Sequence, residues 1–105
     1  MGTWIMATWD DVRRLALALP ETAEGTSRDG LLGWSVKGRS FAWERPLRRG
    51  DLQALGFTTP HFDGYAAILV RLDRIAVPEL QELLVEAWLC RAPRRLATGY
   101  LDRGR

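Results

Sequence analysis

The sequence predicts an α+β domain: an antiparallel sheet of two β-hairpins covered by an N-terminal helix and C-terminal helices. Three observations predict it. Apolar residues recur with the 3.6-residue period of a helix at both ends of the chain. They alternate with a period of two through its middle. Turn residues divide that middle into runs able to pair. A length of 105 residues suits one domain, read as residues 8–105 behind an N-terminal extension over 1–7.

The first helix starts at Thr8, a good N-cap, with Asp11 placed as a capping-box acid and Asp10 and Asp11 at the positive helix end. Val12, Leu15, Ala16 and Leu19 form one apolar stripe, and Pro20 stops the helix. Glu21 to Gly30 reads as loop. Leu32, Trp34 and Val36 then alternate with small residues. Phe41 and Trp43 do the same beyond Lys37-Gly38, so 31–44 reads as a β-hairpin with a basic tip. Pro46 ends it, and Arg48 to Leu55 is expected to form a helical turn or short helix. Phe57 to Phe62 and Ala66 to Leu72, joined across Asp63-Gly64, form the second hairpin. Pro78 suits a first helical position, and Leu80, Leu83, Leu84, Ala87 and Trp88 follow at helical spacing. Pro93 breaks that helix and starts a short one carrying Leu96, Ala97, Tyr100 and Leu101.

Composition narrows the function classes. The single cysteine, Cys90, excludes a disulfide scaffold and a Cys-rich zinc site, and fits a reducing compartment. No apolar run nears the ~18 residues that span a bilayer. Met1 to Thr8 lacks the basic flank and apolar stretch of a signal peptide. A cytoplasmic protein without membrane contact is therefore expected. The net charge of +2 hides a contrast. The stretches 37–49 and 91–105 are basic, and 61–90 is acidic. Local fields steer anionic partners more than the total does.

Catalytic chemistry is thinly represented. Phosphate-loop, dinucleotide-binding and G-x-S-x-G patterns are missing from the sequence. His61, the one histidine, has Asp63 two residues on, but a closed metal site needs three or four ligands. His61 therefore reads as structural, and no metal or cofactor is expected. With Tyr65, these two residues are the only constellation an enzyme or small-molecule binder would use. Cys90 would act as a nucleophile only if His61 reached it and Arg91 lowered its pKa; it reads as a small half-buried side chain. Glu82 and Glu86, with Glu79, read as a solvated acidic helix face. The five tryptophans read as core, which aromatics dominate in small domains. Trp43, beside Glu44-Arg45, is the best candidate for stacking a base or ligand, yet it too is assigned to the core.

The strongest binding signal is the basic hairpin. Lys37 and Arg39 flank Gly38 at its tip, and Arg45, Arg48 and Arg49 follow its second strand. Arg94 and Arg95 form a second basic patch. Such groups can contact phosphates, each contact releasing counterions. The reading is a non-enzymatic nucleic-acid-binding protein, with DNA as its partner. The alternative is a protein-interaction domain using Trp4, Trp9 or Phe62.

Several stretches resemble the MmcQ/YjbR-like family. They are Ala7-Thr8-Trp9-Asp10-Asp11-Val12-Arg13, Ala18-Leu19-Pro20-Glu21 with Glu24-Gly25-Thr26, and Gly38 to Leu47. Phe57 to Tyr65, Glu86-Ala87-Trp88 and Ala92 to Leu96 continue the match in order. The resemblance implies a CyaY-like, double-wing fold and a DNA-binding function. Frataxin-like relatives of that fold carry an acidic ridge for iron. Here the first helix offers only Asp10 and Asp11 beside Arg13 and Arg14, which argues against iron delivery. The family's members also carry a strand and a helix between the segments matching Leu55-Gly56 and Phe57-Thr58. This chain goes straight across, so an omitted segment or a gap in the sheet is expected there.

Overall fold

A computed structural model describes residues 6–46, 53–59 and 66–103. Helix α1 (Trp9–Leu17) leads into five strands, β1 (Thr22–Thr26), β2 (Leu32–Val36), β3 (Arg39–Pro46), β4 (Gln53–Thr59) and β5 (Ala66–Arg71). A 3₁₀ turn over Leu72–Arg74 precedes helices α2 (Val77–Arg91) and α3 (Arg94–Arg103). The strands form one antiparallel sheet in sequence order, which is the α+β class that the alternating periods predict.

Local chemistry accounts for the helix boundaries. The Thr8 hydroxyl oxygen accepts from the Asp11 N–H (3.3 Å), and the Asp11 carboxylate accepts from the Thr8 N–H (2.9 Å), a complete capping box. Two donors that the helix itself cannot satisfy are thereby paired. Pro78 falls in the first turn of α2, where a missing N–H costs nothing. The break at Ala92-Pro93 separates α2 from α3 as the sequence predicts. Residues 6 and 7, assigned to the N-terminal extension, also join the domain. Met6 bridges Ala76, and the Ala7 N–H donates to the Ile75 carbonyl at 2.9 Å.

The strands depart from expectation in three places. First, β1 lies in the stretch read as loop. Its residues Thr22, Ala23, Glu24, Gly25 and Thr26 carry no apolar alternation. Pairing with β2 alone makes it a strand. Second, the helical turn expected over Arg48 to Leu55 gives way to β4, which already includes Gln53 to Leu55; residues 48–52 lie outside the described residues. Third, no gap opens at Gly56-Phe57. There β4 pairs with β3 and β5 on either side, Gly56 facing Trp43 and Leu69, and Phe57 facing Ala42 and Ile68. The two-residue turn at Lys37-Gly38 is as predicted, with φ of 50° and 80°, the pair of left-handed values that a type I′ hairpin requires. The turn expected at Asp63-Gly64 lies outside the described residues.

The helices cover one face of the sheet. Trp34, Phe41, Leu55 and Phe57 pack with Val12 and Ala16 of α1 and with Leu80, Leu84 and Trp88 of α2. Among the described residues, the two buried indoles also find acceptors, as buried N–H groups must. Trp34 Nε1 donates to Glu24 Oε1 (3.0 Å), and Trp88 Nε1 donates to the Pro20 carbonyl (3.0 Å). The second bond ties the end of α2 to the turn between α1 and β1.

Candidate nucleic-acid interface

The predicted cations separate into two groups. Lys37 and Arg39 stand at the β2–β3 tip, whereas Arg45 lies six residues along β3, about 20 Å away at the usual rise per residue. Arg39 is opposite the core-facing Val36, on the helix side. Arg45 shares the face of Trp43, which lies two residues before it. The single basic hairpin surface expected from sequence is thus divided between two places. Arg48 and Arg49 lie outside the described residues.

The tip and α3 each reach the turn between α1 and β1 instead. Lys37 Nζ pairs with Glu21 Oε1 at 3.0 Å. The adjacent Pro20 lines a small groove with Arg95, Leu96, Gly99, Tyr100 and Arg103. Lys37 of the hairpin and Arg95 and Arg103 of α3 thus each border Pro20-Glu21, the same turn that Trp88 anchors. Arg39, Arg94 and Arg95 are exposed, and no carboxylate among the described residues pairs with them or with Arg45. Arg94 and Arg95 occupy the first turn of α3, which contains no acid. Cations there oppose the helix dipole at a cost of about 0.3–1 kcal/mol each, so helix stability does not account for them.

The other group belongs to the face that the helices leave open. Register places Gly25, Gly33, Trp43, Gly56 and Leu69 in one row across all five strands. Trp43 is half-buried and lies outside the hydrophobic core, which corrects its assignment to the core. The reason is a β-bulge. Trp34 pairs with Ala42, but Ser35 pairs with Ser40, so Phe41 is the extra residue. One inserted residue inverts the alternation beyond it. Phe41 and Ala42 are both buried, and Trp43 turns to the open face. Its indole lies on Gly56, where an added Cβ would sit 2.4 Å from Cε2 and Nε1. Over Gly25 there is open space. A trough of about 440 Å³ results, lined by Gly25, Gly33, Ser35, Ser40, Trp43 and Arg45.

The remaining described candidates are buried, exposed or already engaged. Burial pushes the Cys90 thiol above its ordinary value, and Arg91 offsets this only in part, the opposite of the shift that activates a nucleophilic thiol. Glu82 and Glu86 are exposed on α2, the solvated face expected. The backbone hydrogen bond from Thr8 is the main influence holding the Asp11 carboxyl below its usual range, with Arg14 adding to it. Asp11 is thus occupied as a cap. Arg13 does the same to Glu24 through a two-pronged contact of 2.8 and 3.0 Å, assisted by Trp34. Among the described residues no group of three potential metal ligands occurs. No helix there is long and apolar enough to cross a membrane. Trp9 stacks on Trp34 with centroids 6.3 Å apart. Trp4, His61, Phe62, Asp63 and Tyr65 lie outside the described residues.

Uncharacterized protein Rv2570 of Mycobacterium tuberculosis and uncharacterized protein Mb2600 of Mycobacterium bovis are each 41% identical to this chain, covering 91% of it and 97% of their own length. The chain belongs to the family of these mycobacterial proteins. The alignment runs over 129 positions, more than the 105 residues of this chain, so the relatives carry residues with no counterpart here. No family model matches the chain, and no solved structure matches it.

Proposed function

We propose that the protein is a cytoplasmic, non-enzymatic nucleic-acid-binding module of the MmcQ/YjbR type. The observation that carries this reading is that Lys37 pairs with Glu21 while the adjacent Pro20 lines a groove with Arg95 and Arg103 of α3. Guanidinium groups without carboxylate partners are available to phosphate oxygens, and each contact releases counterions. The Lys37–Glu21 pair is exposed on both sides. Such pairs contribute about 0–1 kcal/mol, so a phosphate can displace the carboxylate.

The test is fluorescence anisotropy with labelled DNA over a salt series. The wild type binds at low salt and weakens steeply as salt rises. The triple variant Arg39→Ala, Arg94→Ala, Arg95→Ala flattens the dependence of log K on log salt by about one unit per arginine removed. Absence of binding at low salt disproves the proposal. A protein-interaction role is favoured by one feature: β5, at the sheet edge, exposes Ile68 and Leu69. Exposed edge strands template pairing with another chain. Concentration-dependent association in analytical ultracentrifugation would support it.

A further inference from the structure

We infer that the open face of the sheet holds a second, distinct site, in which an unpaired base of a single-stranded nucleic acid stacks on Trp43 while its phosphate meets Arg45. The inference rests on the nucleic-acid reading above but uses different residues.

Three features of the trough fit that occupant. The first is a fixed aromatic plane. Trp43 stands in register between Gly33 and Gly56, and its ring is seated on Gly56. A ring held this way loses little freedom on stacking, and base–aromatic stacking tolerates any base. The second is room beside it. Gly25 pairs with Gly33 across β1 and β2, so the row next to the indole has no side chains. An open volume of about 440 Å³ falls within the usual range for small-ligand sites. The third is polar chemistry in the right order. Ser35 and Ser40 face each other across β2 and β3 and offer hydroxyls to base edges. Arg45 lies beyond the ring, about 7 Å along the strand from Trp43. Glu44 also lines the trough, and its carboxylate is engaged by the Leu32 N–H at 3.0 Å.

Charge supports the same occupant. Arg71 joins Arg45 in the row through Ala54, but its guanidinium is held by Asp73 at 2.7 and 3.0 Å. Arg45 has no such partner among the described residues. An aromatic plane with one uncommitted guanidinium beside it complements a flat group bearing an anion. A duplex keeps its bases stacked inside and cannot present one to a sheet face. The site therefore discriminates in favour of single strands.

The experiment compares a labelled twelve-residue single-stranded oligonucleotide with the duplex of the same sequence, by anisotropy at low salt. The wild type binds the single strand more tightly. Trp43→Ala weakens single-strand binding about tenfold or more and leaves duplex binding unchanged. Trp43→Phe restores most of the loss, which a merely structural role of the indole would not predict. Arg45→Ala weakens single-strand binding more than duplex binding. Circular dichroism confirms that the variants are folded. If Trp43→Ala binds the single strand as well as the wild type does, this inference is overturned and the phosphate-binding proposal stands. If the wild type binds neither nucleic acid, both fall.

Discussion

Trp34 and Trp43 lie on adjacent strands, one register step apart, and have opposite fates. Trp34 faces the helices, is 1% exposed, and gives its N–H to Glu24. Trp43 faces away from the helices and rests on a glycine. Both come from runs that alternate as strands should, so neither residue type nor period separates them. The bulge at Phe41 does, by turning β3 over near its start. The same amino acid thereby serves the core on one side of the sheet and lines an open trough on the other.

Four substitutions would break or sharpen this contrast. Trp34→Ala has the largest expected effect, about 3–5 kcal/mol of lost stability, seen as a fall in the denaturant midpoint. Gly56→Ala follows. Its Cβ would occupy the space of the Trp43 ring, an overpacking that costs about 1–3 kcal/mol. An unchanged midpoint for Gly56→Ala would mean that the indole does not rest there. Trp43→Ala costs only about 1 kcal/mol, as half burial of an aromatic implies. A loss as large as that of Trp34→Ala would place Trp43 back in the core.

The smallest effect is confined to acid. Arg13 and Trp34 hold the Glu24 carboxyl below the usual 4.5, so the charged form is favoured in the folded state. That contribution is fully present above pH 4.5 and is lost as pH falls below it. Glu24→Gln keeps an oxygen for Trp34 Nε1 but removes the titration. Its thermal midpoint should fall less than that of the wild type between pH 5 and pH 3. Equal declines would show that other carboxyls account for the acid sensitivity.

Much of the fold was legible residue by residue. Thr8 and Asp11 announced the capping box, Lys37-Gly38 the tight turn, and Pro78 and Pro93 the limits of α2. Each is a local signal whose partners lie within a few residues. Strand β1 was not legible. Thr22 to Thr26 are polar and contain Gly25, and only the adjacent β2 makes them a strand. The candidate sites divide in the same way. The charges of Lys37 and Arg95 could be read directly, but that both border Pro20-Glu21 shows only in the Lys37–Glu21 pair and in the groove that Pro20 shares with α3. The trough was missed because its floor consists of residues without side chains. Gly25, Gly33 and Gly56 had no visible connection until the register brought them into line.

The sequence by itself determined the α+β class, the helix limits, the hairpin turn and the concentration of arginine in two stretches. These follow from period, capping and charge, which act between near neighbours. Only the tertiary structure decided which face each aromatic serves and which cations stand together. Those outcomes depend on a single bulge and on contacts between residues as far apart as Pro20 and Trp88, and such long-range geometry leaves no local trace in the order of residues.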